Sequence, residues 1–522
     1  MAPAHDQLPD DVTTLKDVII QNYYEVEALK EENRLLKAAL YGRKSEKQTT
    51  DSSGQLLLNF GEEAEPVTIP TKAEEEKTSV KAHSRKKSGR KPLPEHLDVV
   101  EQVIDISEAD KVCGCGCQKT RIGAETSDHL EHIPAKSYIL RLVRPKYACR
   151  SCEGTEDDNP TVSIAPVPEQ IIPKSFATAS LLAYILTAKF SDAIPFYRLS
   201  TMFERNDIEI SRGTMCNWAV RVAALLRPML EAFKKCIFAY PVVQADETGL
   251  QVLKEPGRKA SSRSFIWGFR GGSPDKPAII FYYNASRAGK VPMNFLAGYS
   301  GFIQADGYNG YKFIDNEITQ SRVGCWAHAR RKFVDAIKVA GDNAQPGVAH
   351  QAVGIIKQLY SIEKEARDKD YRPEQIYQLR QSASKPVLED FKKKLFAWQT
   401  ALPPKSLSGK AVSYALKEWP ALEKYLADGR IQIDNNLMEN AIRPIAVGRK
   451  NWLFNDTPEG AAASTIIYSI IETAKANGLE PYWYLRVLFD KLPALKSEED
   501  FLPYIPQNIN RSMIQAMKDK YR

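Results

Sequence analysis

Nowhere among the 522 residues do 18 apolar residues run without interruption, which removes a membrane-spanning helix from the expectations. The opening stretch Met-Ala-Pro-Ala-His-Asp-Gln-Leu-Pro-Asp-Asp has no apolar region of the kind that marks a secretory signal. A cytoplasmic protein without membrane partners is expected. Glycine, at 28 residues, is too rare for a collagen-like repeat, and a hydrophobic fraction of 43% is too high for a disordered chain. Cysteine is also scarce. Five of the eight (Cys113, Cys115, Cys117, Cys149 and Cys152) fall in two tight clusters, while Cys216, Cys236 and Cys325 stand apart. Without a secretion signal, such clustering favours metal ligation over disulfides. The net charge of +7 is a weak argument for a polyanionic partner until its distribution is considered.

A chain of this length implies several folded units. Residues 12 to 40 read as about four heptads, with Val12, Ile19, Val26, Asn33 and Leu40 at a and Leu15, Asn22, Leu29 and Leu36 at d. A coiled coil over 1–47 and a homo-oligomer are expected, although one amphipathic helix packed on the body has the same pattern. Periodicity then stops, and 48–98 reads as a charged flexible linker. Its first half is acidic, whereas residues 81 to 91 carry Lys81, Arg85, Lys86, Lys87, Arg90 and Lys91 without an acid. Such a segment suits phosphates, but a solvated linker that touches nothing carries the same charges.

Residues 99–165 hold the cysteine clusters around Tyr138–Tyr147, which reads as a strand. A small zinc-ribbon-like module fits. Cys149-Arg-Ser-Cys152 is a C-x2-C knuckle suited to tetrahedral zinc. Cys113, Cys115 and Cys117 alternate with glycine, so the other ligands stay ambiguous. Residues 166–235 read as helical. Two short amphipathic segments, Pro195–Phe203 and Ser211–Trp218, have the outline of a helix-turn-helix, in which Arg212 and Asn217 would face DNA. Helical hairpins without DNA share that outline.

The strongest chemical signal follows. Three strand-like runs (242–245, 264–270 and 278–283) form an expected meander, and a further strand covers 302–305. The first and fourth end in the same tripeptide, Gln244-Ala-Asp246 and Gln304-Ala-Asp306. An acid placed after a buried strand is fixed at a sheet edge, and two that converge repel unless a proton or cation separates them. Divalent ions with oxygen ligands, Mg2+ or Mn2+, are the natural solution. Turn formation is the alternative for either acid alone. Asp434–Arg443 reads as a short helix, with Asp434 as N-cap, that ends or kinks before Pro444. It would carry Glu439 to the metal and Arg443 toward a phosphate. His328, Arg330, Arg331, Arg449 and Lys450 are further candidates for phosphate contacts.

These segments, together with Cys325-Trp-Ala-His-Ala-Arg-Arg-Lys-Phe333, Arg443-Pro-Ile-Ala-Val-Gly-Arg-Lys-Asn-Trp-Leu-Phe454 and Ala476-Asn-Gly-Leu-Glu-Pro-Tyr482, resemble the IS sixty-six family of bacterial insertion-sequence transposases. The resemblance spans nearly the whole chain. It implies an α/β protein with a ribonuclease H-like catalytic core over 236–475, preceded by the coiled coil, zinc module and helical DNA-binding segment and followed by a helical tail over 476–522. Within that core it implies a DDE triad of Asp246, Asp306 and Glu439 that cuts and joins DNA at terminal inverted repeats and in target DNA, with small accessory proteins of the same element as possible partners. The spacing of Cys113 and Cys115 departs from the family's C-x2-C. The 133 positions from Asp306 to Glu439 imply a helical insertion at about 340–430, supported by helical spacing at Val353, Ile356, Tyr360, Leu388, Phe391, Leu395 and Trp398. A nuclease of the same fold and a catalytically silent DNA-binding regulator are the competing readings.

Overall fold

The computed structural model describes residues 11–41, 137–148, 162–340 and 347–521. The charged linker, Cys113, Cys115, Cys117, Cys149 and Cys152 lie outside these residues. The chain divides into two units, Pro66–Val167 and the remainder.

In the larger unit, α1 (Val12–Tyr41) spans the heptad segment and lies against the later helices Trp326–Ala340 and Leu407–Lys417, with Glu25 paired to Lys405 at 3.1 Å. Leu15 and Val18 are half-buried, but Val12, Ile19, Val26 and Leu29 remain exposed, so much of the heptad seam is uncovered. In the smaller unit, β1 (Lys146–Ala148) pairs antiparallel with β2 (Val162–Ile164). The strand expected over Tyr138–Tyr147 is therefore corrected to its last residues. Pro145 has no N–H to donate to a ladder, and Arg144 instead gives a side-chain bond to the Ala165 carbonyl at 2.7 Å.

Four helices follow: α2 (Ala179–Phe190), α3 (Phe196–Glu204), α4 (Arg212–Leu226) and α5 (Met229–Phe238). Ser211 caps α4 by accepting the Thr214 N–H, and the Ser200 hydroxyl ties α3 to the Ile210 carbonyl at 2.8 Å. The sheet then builds from β3 (Val242–Gln251), β4 (Arg263–Gly271) and β5 (Ala278–Asn284), the expected antiparallel meander. After α6 (Lys290–Phe295), β6 (Gly301–Gln304) and β7 (Gln320–Val323) add parallel strands on the other side of β3, giving the order β5-β4-β3-β6-β7.

Helix α7 (Trp326–Ala340) leads into the helical insertion: α8 (Val348–Asp368), α9 (Pro373–Leu379), α10 (Lys385–Ala401), α11 (Leu407–Lys417) and α12 (Trp419–Leu422). Its own core is built around Trp326, Phe391 and Trp419. Arg380 is buried there against Glu363 and donates to the carbonyls of Tyr425, Asp428 and Ile431, which fixes the return path to the sheet.

The chain re-enters the sheet unit through α13 (Asn436–Trp452), α14 (Pro458–Ala476), α15 (Pro481–Lys491), α16 (Glu498–Phe501) and α17 (Arg511–Tyr521). The expected end before Pro444 does not occur, because α13 continues past it to Trp452. The carbonyl that Pro444 leaves without its helical donor belongs to Asn440, which is exposed and open to water. The outer strand β5 does not end as a bare edge: Ser469 and Thr473 of α14 accept the Phe281 and Ile279 N–H groups. No described helix is long and apolar enough to cross a membrane.

Candidate functional site: an acidic centre on the sheet

Strands β3 and β6 are parallel neighbours with Gln244 opposite Gln304, so the two Gln-Ala-Asp tripeptides run side by side. Each glutamine is buried, and Gln244 Nε2 donates to Gln304 Oε1 at 2.9 Å. The same side chains reach the segment before α13: Gln304 Nε2 donates to the Gln432 carbonyl at 2.7 Å and Gln244 Nε2 to that of Asp434 at 3.3 Å. Asn435 adds a bond to the Ala245 carbonyl at 2.9 Å. One polar clamp thus joins the two strands that carry Asp246 and Asp306 to the start of the helix that carries Glu439.

Asp306 follows the end of β6, where its carboxylate accepts the Tyr308 N–H at 2.9 Å. Asp246 is different. It sits inside β3, opposite Gly268, rather than after the strand, because the ladder with β4 continues to Gln251. A side chain at Gly268 would collide with Met438 of α13, its Cβ falling 2.3 Å from the methionine methyl. Glycine there leaves room for the Met438 side chain and the Phe281 ring against the strand.

Burial raises the proton affinity of Asp246 well above that of an ordinary aspartate, and the neighbouring charges of Glu247, Glu439 and Asp306 raise it further. Glu247, next in the strand, points to the opposite face. Its proton affinity is raised by burial and then by Asp306, while hydrogen bonds from Arg287 at 2.6 Å and Tyr311 at 2.9 Å counter the shift. Asp434 is also raised by burial. It accepts the Tyr360 hydroxyl at 2.8 Å and the Asn436 N–H at 3.1 Å, so it braces the helix start while Asn435 occupies the N-cap position.

Glu439 is buried beneath α7. Its two carboxylate oxygens lie 3.6 Å from His328 Nδ1 and 3.7 Å from Arg331 Nη2, both outside hydrogen-bond range. Glu439 Oε1 and His328 Nδ1 are each buried without a hydrogen-bond partner. Burial lowers the proton affinity of His328 against the pull of Glu439. Cys325 Sγ also lies close, but it is fully buried, accepts the Asn435 N–H at 3.2 Å and is held as a thiol by burial. It acts as a joint between α7 and α13.

Among the described residues, the ligand atoms that gather within 4.8 Å of one another are those of Cys325, His328 and Glu439; Asp246 is close enough to feel the charges of Asp306 and Glu439, and Arg331 lies 3.7 Å from Glu439. Arg330 is half-buried on α7. Arg443 is half-buried on α13 with Nε unpartnered, Arg449 is half-buried beside Arg263, and Lys450 is exposed in the last turn. Arg212 and Asn217 are exposed on α4, the opposite side of which packs on α14. Sequence reasoning missed Glu247, Arg287, Tyr311 and the glutamine clamp. The repeated glutamine before each aspartate was the available signal.

Carboxylates from three elements thus lie near one another, Glu439 buried with an orphaned oxygen and Asp246 and Asp306 half-buried, with the Arg331 guanidinium close by. Comparison with known proteins adds the family. Residues 174–463 match the Transposase IS66 family, and the chain belongs to it. Residues 110–153 match the zinc-finger binding domain of transposase IS66, 28–101 the family described as Transposase C of IS166 homeodomain, and 469–503 the IS66 C-terminal element. The zinc-finger match contains all five clustered cysteines, so structural zinc is supported. Similar full-length relatives include the uncharacterised proteins y4jD and y4hP of Sinorhizobium fredii. They are 31% identical over 94% of this chain and 95% of the relative, and 30% over 86% and 83%, respectively.

Proposed function

We propose that this transposase cuts and rejoins DNA through a DDE triad of Asp246, Asp306 and Glu439 on a ribonuclease H-like core. The observation that carries the reading is the placement of three acids from separate elements: Asp246 and Asp306 are carried by paired parallel strands, and Glu439 by the helix whose start the glutamine clamp and Asn435 tie to them. The fold assignment draws on the strand order, an antiparallel meander followed by two parallel strands, with the acids on the two adjacent inner strands.

The donor set fits hard divalent ions: carboxylates whose mutual repulsion a cation relieves, and an oxygen of Glu439 without a hydrogen bond. When bound, Mg2+ or Mn2+ would supply an activated water or 3′-hydroxyl and neutralise charge on the leaving oxygen. The chain's own contribution is positioning. The glutamine clamp holds the strands and α13 in register. His328 and Arg331 flank Glu439, and with Arg330, Arg443, Arg449 and Lys450 they face phosphates of the bound strand. Arg212 and Asn217 on α4 serve recognition of the terminal repeats. Cys149 and Cys152, with two of Cys113, Cys115 and Cys117, hold zinc, and the uncovered seam of α1 pairs copies of the chain. Small accessory proteins of the same element remain partners by resemblance.

Transfer of a labelled, cut end into a second duplex tests the function. Joined product is expected with Mg2+. Cutting without joining would assign a nuclease, and binding without cutting a regulator.

A further inference from the structure

The last turn of α13 ends in an unusual way. Leu453 has φ 62° and ψ −52°, and the Phe454 N–H donates to the Trp452 carbonyl at 2.8 Å. This is the three-residue γ-turn that is rare and strained for a residue with a side chain. The turn sends neighbouring side chains in opposite directions. Trp452 packs inward, with Lys189 Nζ 5.4 Å from its ring, while Leu453 and Phe454 are 63% and 43% exposed. Packing makes little use of the Leu453 side chain, and glycine would adopt this backbone at lower cost.

The tip is clamped on both sides. Behind it, the Leu453 N–H donates to the Arg449 carbonyl at 2.7 Å. Ahead of it, the Asn455 N–H donates to Gln251 at 2.9 Å and the Asn455 carbonyl accepts from Leu253 at 3.0 Å. The two exposed apolar side chains are thus carried between the helix of Glu439 and the strand of Asp246. Around them are Lys450 and Arg263, both exposed, and Arg449, whose proton affinity is lowered by burial and by Arg263 nearby. The nearby Asp456 is taken by Lys254 at 2.8 Å. Adjacent guanidinium groups without an intervening acid fit a polyanion, and apolar side chains in such a setting fit the faces of nucleobases.

We propose that Leu453 and Phe454 form a wedge that stacks on an unpaired base of bound DNA. This rests on the DNA-processing function proposed above. Leu453 lies fourteen residue steps beyond Glu439 along α13 and its cap, about 21 Å at the helical rise. That is roughly six base pairs of duplex at 3.4 Å each, so one DNA molecule can occupy both places.

The test uses the full-length protein and two short duplexes of the same length, one fully matched and one with a two-base mismatch bubble, with binding followed by fluorescence anisotropy. Wild type should bind the bubble about tenfold more tightly, as a single stacked base provides. Leu453→Gly combined with Phe454→Ser, which retains the turn, should lose that preference while binding the matched duplex normally, and Phe454→Trp should keep it. Equal binding of both duplexes by wild type, or an unchanged preference in the double variant, overturns the wedge and leaves the transposase reading standing. Failure of wild type to bind either duplex sinks the DNA reading itself. Weakened self-association in the double variant with the bubble preference intact would reassign the pair to a protein contact.

Discussion

Replacing Gln304 with leucine removes the centre of the polar clamp without leaving a large cavity. Gln304 is fully buried. Its amide donates to the Gln432 carbonyl at 2.7 Å and accepts from Gln244 at 2.9 Å. The substitution leaves the Gln432 carbonyl without its donor and takes the shorter of the two bonds made by the Gln244 amide, which keeps its 3.3 Å bond to the Asp434 carbonyl. A weakened or stranded polar group of this kind costs about 1–3 kcal/mol, so Gln304→Leu should destabilise the sheet unit by about that much. Because the lost bonds fix the approach to α13, Mg2+-dependent cleavage should fall more than DNA binding does. Denaturant unfolding of Gln304→Leu, Gln244→Leu and the double variant measures the coupling. The double variant should be less destabilised than the sum of the singles, because it no longer strands an amide. Strict additivity, or a Gln304→Leu protein as stable as wild type, refutes the clamp.

Three further outcomes are expected. Asp246 binds its proton more tightly folded than unfolded, so its contribution to stability is fully present below about pH 4 and is lost as pH rises through its raised folded value. In chelator, Asp246→Asn should therefore gain stability relative to wild type toward neutral pH and lose the stabilisation that Mg2+ gives; thermal unfolding across pH reads both effects. Purified protein should contain zinc by elemental analysis, and Cys149→Ser with Cys152→Ser should lose it and destabilise the cysteine module. Removing residues 1 to 42 should lower the number of copies per particle read by light scattering, and an unchanged number would assign self-association to other surfaces.

Much of the site was legible because its chemistry is local in sequence. The repeated Gln-Ala-Asp tripeptide, the meander and the helical insertion all leave short-range patterns, and all three elements are present. What was hidden depends on partners far along the chain. The extension of β3 beyond Asp246 comes from its ladder with β4, which the turn-like Asp-Glu-Thr-Gly sequence conceals. β7 is four residues long and mostly polar, too short for periodicity to reveal. Pro444 looks like a helix stop by local rules, yet α13 continues past it, with Met438, Ile442 and Ile445 on its buried side. The clamp was hidden too: two glutamines in identical settings reveal a bond only once β3 and β6 are known to be neighbours.

The most direct test of the triad compares wild type with Asp246→Asn, Asp306→Asn and Glu439→Gln on a duplex carrying the element's end, with Mg2+ cleavage and gel-shift binding measured in parallel. Each substitution takes a ligand from one shared centre, so each should nearly abolish cutting and leave end binding intact. Wild-type cutting by all three variants would contradict the triad. Wild-type cutting by Glu439→Gln alone would move the third ligand elsewhere, with Asp434 the next to replace.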